Sequence, residues 1–79
     1  MNTPETQLPT VGRIVHYVSP TGACTDYAAI VTGVYGGLAA SINLVSLAVL
    51  SPRSLTFEQE VPQDEFSKRP GTWHWPERV

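Results

Sequence analysis

The sequence predicts a small all-β fold, a five-stranded barrel of the SH3-like or OB-like kind. Short stretches rich in β-branched and aromatic residues recur along the 79 residues, and turns that contain Pro, Gly or Ser separate them. No stretch keeps the 3.6-residue apolar period of an amphipathic helix. A barrel would also hide the edges that an open five-stranded sheet exposes. These observations favour a closed, strongly bent sheet.

The first half of the chain predicts an arm and three strands. Residues 1–9 are mostly polar with two prolines and predict a flexible arm, so that residues 10–79 form the domain. Alternation predicts a strand over Thr10–Val18, and residues rich in Ile, Val and Thr predict another over Ala28–Tyr35. After a turn at Gly36-Gly37, the nearly continuous apolar run Ile42–Leu50 predicts a third strand, buried on both faces or at a subunit contact.

The second half predicts two more strands and a loop. Leu55–Val61 alternates, with Leu55, Phe57, Gln59 and Val61 on one face. The charged stretch Pro62–Pro70 predicts a loop, and Thr72–Trp75 predicts a short last strand that Pro76 ends. The residues expected to supply much of the core are Ile14, Val18, Ile30, Val31, Leu44, Val45, Leu47 and Phe57.

Length and composition limit the class of protein. A single domain of 79 residues has a marginal core, and the single cysteine, Cys24, excludes an intrachain disulfide. With only 15% charged residues, extra buried area is expected from a homo-oligomer that joins through the third strand. The net charge of −2 and five scattered Lys and Arg residues disfavour polymeric nucleic acid as a partner.

No membrane contact is expected. The uncharged stretch from Tyr27 to Pro52 is long enough to span a bilayer, but glycine, serine and asparagine interrupt it. The start of the chain lacks the basic and apolar regions of a signal peptide. These features favour the cytoplasm.

The sequence offers little for catalysis or for metal binding. Cys24 with His16 or His74 lacks any local signature of a nucleophile and base, and a lone cysteine is more often a small buried hydrophobe. Two histidines and one cysteine are one ligand short of a structural zinc site, and no pair has metal-ligand spacing. We therefore expect no catalytic residues, no metal and no cofactor.

The aromatic segment at residues 71–78 is the strongest candidate for function. In an extended strand Trp73 and Trp75 share one face and His74 lies on the other. Two interpretations stay open: the rings close the core, or one of them is a platform for a planar ligand. Arginine suits phosphate, and hydroxyl and imidazole groups suit hydrogen bonds. The candidate ligand-binding residues are Trp73, Trp75, His74, Thr72, Arg13, His16, Tyr17 and Arg53.

Several segments resemble a set of small proteins of tailed phages. They are Gly12–Val18, Ala28–Thr32, Asn43–Val45, Val61-Pro62 and, most closely, the motif Gly71–Glu77. The third strand here is longer than the pattern of that family. By analogy, many short phage proteins of this kind look like immune-evasion sponges, which hold a signalling nucleotide without cleaving it.

The resemblance and the analogy together imply a function. They imply an anti-defence protein in the cytoplasm of an infected bacterial host, which sequesters a cyclic dinucleotide or a cyclic ADP-ribose type of signal. The alternatives are a virion structural or assembly component and a direct binder of a host protein. A sponge needs a pocket with aromatic and cationic walls, whereas a virion part needs extended apolar patches.

Overall fold

The protein is all-β, as the sequence predicts. The structure, a computed structural model, describes residues 8–20, 26–35 and 43–76, and these contain no helix. Five strands form one antiparallel sheet in the order β4-β3-β2-β1-β5. Within these ranges there is accordingly no helix long and apolar enough to cross a membrane. The strands are β1 (Ile14–Val18), β2 (Asp26–Val34), β3 (Val45–Leu50), β4 (Leu55–Val61) and β5 (Trp73–His74).

The sheet is curled, but it is not closed into the predicted barrel by a ladder between described strands. β5 pairs with β1 on one side and has one parallel bridge, Gln63 to Trp73, on the other. Two hydrogen bonds make that bridge: the Trp73 N–H donates to the Pro62 carbonyl, and the Asp64 N–H donates to the Trp73 carbonyl, both at 2.9 Å. Because β5 has only 2 residues, no longer ladder forms there.

Parts of three predicted elements lie outside the described residues. These are residues 1–7 of the predicted arm, the Gly36-Gly37 turn, and Ile42 at the start of the third predicted strand. The environment of Cys24 also lies outside them.

The core lies on one face of the sheet, which we call the inner face. Among the described residues, ten buried hydrophobic side chains form the core cluster: Val15, Tyr17, Ala29, Val31, Val45, Leu47, Val49, Val61, Trp73 and Trp75. The predicted core was right for Val31, Val45 and Leu47, and Val18 is buried as predicted but lies outside this cluster.

The predicted core was wrong for three residues. Ile14, Ile30 and Phe57 are 60%, 36% and 70% exposed, and Leu44 is only partly buried. Ile14 pairs with Ile30 across β1 and β2, and Phe57 continues the same line of residues through β4. All three project from the face opposite the core, since residues in register share a face of the sheet. Hydrophobicity alone does not distinguish the two faces of a strand.

A β-bulge in β4 changes the face of the sheet from which the side chains at the end of this strand project. Leu47 pairs with Glu58 but Val45 pairs with Val61, so β4 has one more residue than β3 between these pairs. Glu60 lies in this extra stretch and has a positive φ of 54°. Because the side-chain period of a strand is two, the extra residue moves Val61 to the inner face while Phe57 stays on the opposite one. The predicted alternation placed these two residues together and was wrong for this reason.

The aromatic tail is held in place by hydrogen bonds to Asn43, which lies just before β3, and to the loop between β4 and β5. The Trp73 indole Nε1 donates to the Asn43 carbonyl at 3.0 Å, and the Trp75 backbone N–H donates to the Glu65 carboxylate at 2.8 Å. Gln63 joins these two anchors, because it accepts from Asn43 and donates to Glu65. The tail therefore forms part of the structure that closes the core.

Candidate functional site

The face opposite the core, which we call the outer face, carries two rows of side chains in register. The first row, from β1 to β4, contains Ile14, Ile30, Ala48 and Phe57. The second row crosses all five strands from β5 to β4 and contains His74, His16, Ala28, Leu50 and Leu55.

Large apolar side chains stay exposed along both rows. Phe57 is 70% exposed, Ile14 60% and Leu55 53%, while Leu50 and Ile30 are about 40% exposed, at 42% and 36%. Single exposed hydrophobic residues are ordinary on protein surfaces, but a contiguous group of them marks an interaction surface. No Asp, Glu, Lys or Arg belongs to either row. The part of the outer face that these two rows cover is therefore uncharged, and apolar side chains dominate it from β1 to β4.

A polar cluster adjoins the β1 and β5 end of the outer face. His16 and His74 are directly opposite each other on β1 and β5, with their rings in an edge-to-face contact at 5.4 Å between centroids. Asp26, the first residue of β2, places its carboxylate between them. Its Oδ2 lies 3.5 Å from Nδ1 of His16 and 3.2 Å from Nε2 of His74.

The three members of this cluster differ in their exposure to solvent. The His74 side chain is only 1% exposed, whereas those of His16 and Asp26 are 36% and 43% exposed. Burial lowers the pKa of His74, and the opposing charge of Asp26 only partly offsets that effect. The folded chain therefore favours the neutral form of His74. Its Nδ1 is buried without a hydrogen-bond partner among the described residues, so its contact with Asp26 is made through Nε2.

Trp73 and Trp75, the two leading ligand candidates, are core residues. Trp73 is 0% exposed and Trp75 is 5% exposed, with their rings edge to face at 5.3 Å between centroids. Of the two interpretations of the tail, the structure thus supports core closure for both rings. Arg13 contacts this pair, with its guanidinium carbon 4.9 Å from the centre of the Trp75 ring.

The remaining candidates do not gather around one ligand. Tyr17 is buried in the core, where burial and then the charge of Glu58 raise its pKa. Thr72 is also buried, and its hydroxyl donates to the Arg69 carbonyl at 2.6 Å. Arg53 is exposed in the turn between β3 and β4, which β2 and β1 separate from β5. The structure brings together His16 with His74 and Arg13 with Trp75, but not all eight candidates.

Sequence reasoning missed Asp26 and the apolar outer face. Asp26 lies 10 residues after His16 and 48 before His74, so only the pairing of β1 with β2 and β5 reveals that the three meet. The outer face was missed because three of its members, Ile14, Ile30 and Phe57, were assigned to the core. Only the register of the strands distinguishes these outer-face residues from the core residues.

Comparisons with known proteins add no further information on function. No family model, no curated protein and no solved structure matches this chain.

Proposed function

We propose that this chain is a non-catalytic assembly domain, which acts as a homo-oligomer through the outer face of its sheet. The observation that carries the proposal is the row of exposed apolar side chains Ile14, Ile30 and Phe57, which crosses β1 to β4 with no charge in it. An assembly component requires an extended apolar surface of this kind, whereas a nucleotide sponge requires a pocket with aromatic and cationic walls.

A second copy of the chain is the partner that fits this surface best. The rows contain no Asp, Glu, Lys or Arg, so they offer nothing to a strongly charged partner such as nucleic acid. An apolar patch is complementary to itself, and two copies related by a twofold axis bury the same residues on both subunits. A domain of 79 residues also gains most from such burial, because its own core is small.

Matched serine variants test the assembly function. Phe57→Ser removes the most exposed side chain of the outer face, and Phe66→Ser is its control, since Phe66 is 85% exposed but lies in the loop between β4 and β5. In native mass spectrometry and light scattering at micromolar concentration, we expect the wild type and Phe66→Ser to be oligomeric and Phe57→Ser to be monomeric. A monomeric wild type, or an oligomer that tolerates Phe57→Ser and Ile14→Ser, contradicts the proposal.

Sequestration of a nucleotide signal is the second candidate function, and one observation favours it. Arg13 is exposed beside the Trp75 ring and makes no ion pair with another described residue, so its guanidinium is available to a phosphate. With both indole rings buried, stacking on them does not contribute in the single chain. A ligand would instead be held by Arg13 and by groups that a second subunit brings to it.

A binding panel separates the two candidate functions. Cyclic dinucleotides, cyclic trinucleotides and cyclic forms of ADP-ribose are tested by calorimetry against the wild type and against Arg13→Gln. A sponge must bind with a sub-micromolar Kd, about −8 kcal/mol or better, must lose affinity in Arg13→Gln and must release unchanged ligand on heating. If no nucleotide binds while Phe57→Ser dissociates the oligomer, assembly is the function that remains.

A further inference from the structure

We propose that His16, Asp26 and His74 form a binding site for a divalent transition-metal ion, for which Zn²⁺ is the best fit. This inference does not depend on the assembly function. It rests on the geometry of the three side chains, on their chemistry and on the burial of His74.

The positions of the ligand atoms suit a small ion. Nδ1 of His16, Nε2 of His74 and a carboxylate oxygen of Asp26 lie within 4.8 Å of one another, and the two contacts to Asp26 are 3.5 and 3.2 Å. A tetrahedral Zn²⁺ with bonds of about 2.0–2.1 Å holds its ligands roughly 3.4 Å apart. Both distances to Asp26 match this spacing, whereas the two histidine nitrogens, which lie within 4.8 Å of each other, have to approach by up to about 1.4 Å to hold the ion.

The donor set selects the class of metal. Two imidazole nitrogens and one carboxylate oxygen suit Zn²⁺ and its first-row neighbours, whereas Mg²⁺ and Ca²⁺ require mostly oxygen ligands. Three protein ligands leave a fourth position for water in a tetrahedral site. The exposure of His16 and Asp26, at 36% and 43%, gives the ion access to that site from solvent.

The burial of His74 is the independent observation that points to a ligand. His74 is 1% exposed, its Nε2 is directed at Asp26, and its buried Nδ1 has no hydrogen-bond partner among the described residues. A side chain that is so well buried loses little conformational freedom when it becomes a ligand. The proposed site thus has one fixed ligand and two that solvent can reach.

The three ligands lie on three strands that are neighbours in the sheet. His16 is on β1, Asp26 begins β2 and His74 is on β5, the last strand and one with only 2 residues. A bound ion would therefore join the aromatic tail to the rest of the sheet. Metal sites are one of the means by which small domains offset a limited core.

Zn²⁺ and Co²⁺ are the probes for this site. We expect Zn²⁺ to bind one ion per chain with micromolar or better Kd in calorimetry, and Co²⁺ to give the visible absorption bands of a four-coordinate site. At about 100 times Kd, free Zn²⁺ favours the folded chain about 100-fold, or about 2.7 kcal/mol. For a domain of this size that should raise Tm by roughly 10–20 °C.

Asp26→Asn and Glu60→Gln form the matched pair of variants. Both residues are exposed acids on strands, but only Asp26 belongs to the site. Loss of an outer partner of a metal ligand alone weakens binding about 10–100-fold, so Asp26→Asn should weaken Zn²⁺ binding at least about 10-fold. Glu60→Gln should bind as the wild type does. His16→Gln serves as a second ligand variant, because His16 is half exposed and its replacement leaves the core intact.

Two further results bear on the assignment of the ligands. Nitrogen chemical shifts of the imidazole rings should place the metal on Nδ1 of His16 and on Nε2 of His74. Cys24→Ser should keep wild-type affinity, because the proposed ligands are two imidazole nitrogens and one carboxylate oxygen. Wild-type affinity in Asp26→Asn, loss of binding in Cys24→Ser, or no Zn²⁺ binding below about 1 mM would falsify the proposal.

Discussion

The two faces of this sheet are made of the same kinds of residue but have opposite relations to solvent. The inner face buries Val31, Leu47 and Val49 under the two tryptophans, whereas the outer face leaves Ile30, Leu50 and Phe57 exposed. The inner face is buried within the chain itself, because the aromatic tail covers it. The outer face has no such cover among the described residues. Most of the large apolar side chains that stay exposed in the described strands therefore lie on the outer face, and a partner bound there would bury them.

A pair of leucines on β3 provides the sharpest comparison of the two faces. Leu47 is 0% exposed on the inner face and Leu50 is 42% exposed on the outer face. We expect Leu47→Ala to lower the free energy of unfolding by about 2–5 kcal/mol, because it leaves a cavity in the core. Leu50→Ala should change it by only about 0.5 kcal/mol in the monomer. Urea unfolding at a concentration low enough to dissociate any oligomer measures both.

The leucine comparison has a clear negative outcome. If Leu50→Ala destabilises the monomer as much as Leu47→Ala does, the outer face is covered within the chain and is not a free surface. At higher protein concentration the expected result changes, since Leu50→Ala should then weaken the oligomer as well.

A substitution in the β4 bulge is expected to change the free energy of unfolding by less than the core substitution Leu47→Ala does. Glu60 has a φ of 54°, a left-handed conformation that costs a non-glycine residue roughly 1–2 kcal/mol. Glu60→Gly relieves this cost, although glycine loses more backbone entropy on folding. We expect a net gain of up to about 1 kcal/mol in thermal or urea unfolding. Gln59→Gly is the control and should destabilise the protein, since Gln59 has no positive φ.

The effect of Glu60→Gly also tests the assignment of the β4 side chains to the two faces of the sheet. If Glu60→Gly is as destabilising as Gln59→Gly, the extra residue of β4 does not have the left-handed conformation. The argument that places Val61 with the core and Phe57 on the outer face would then lose its support.

The smallest expected effect concerns the loop that leads to the tail. The hydrogen bond from the Arg69 side chain, followed by that from the Ser67 N–H, lowers the pKa of Asp64 from its ordinary 3.8 to about 2. Since the pKa is lower in the folded chain, Asp64 contributes stability in full above about pH 4 and loses it as the pH falls toward 2. Asp64→Asn should therefore be less stable than the wild type above pH 4, and this difference should shrink toward pH 2.

Urea unfolding from pH 2 to pH 7 checks the Asp64 prediction. Arg69→Gln, which removes the largest cause of the shift, should reduce the same pH dependence. A difference between the wild type and Asp64→Asn that grows as the pH falls would contradict the sign of the effect.

The sequence predicted the strands well because local chemistry determines them. The β-branched runs and the turn residues located all five strands, and β4 has the predicted bounds Leu55–Val61. It did not predict which side of each strand is buried. That choice depends on the register and on two bulges, one in β4 at Glu60 and one in β2 between Val31 and Gly33. A single extra residue in a strand moves every side chain beyond it to the opposite face of the sheet.

The candidate site was predictable only in part for a related reason. The sequence drew attention to His16, His74 and Arg13 through their residue types, and these do lie near the tail. Strand pairing brings Asp26 next to the two histidines, and the sequence does not reveal this because Asp26 and His74 are 48 residues apart along the chain. The role of the tryptophans depends on whether anything else fills the core. The structure answers that question because both rings occupy the inner face.

The pairing of the last strand with the first has a consequence for the order of events during synthesis. A nascent chain can form the hairpins of β1 to β4 as soon as they leave the ribosome, because each strand pairs with its neighbour in sequence. Until Trp73 and Trp75 emerge, however, that meander is apolar and open on both sides. Commitment to the native fold therefore waits for β5, and a nascent chain that still lacks β5 requires more protection from aggregation than one that has it.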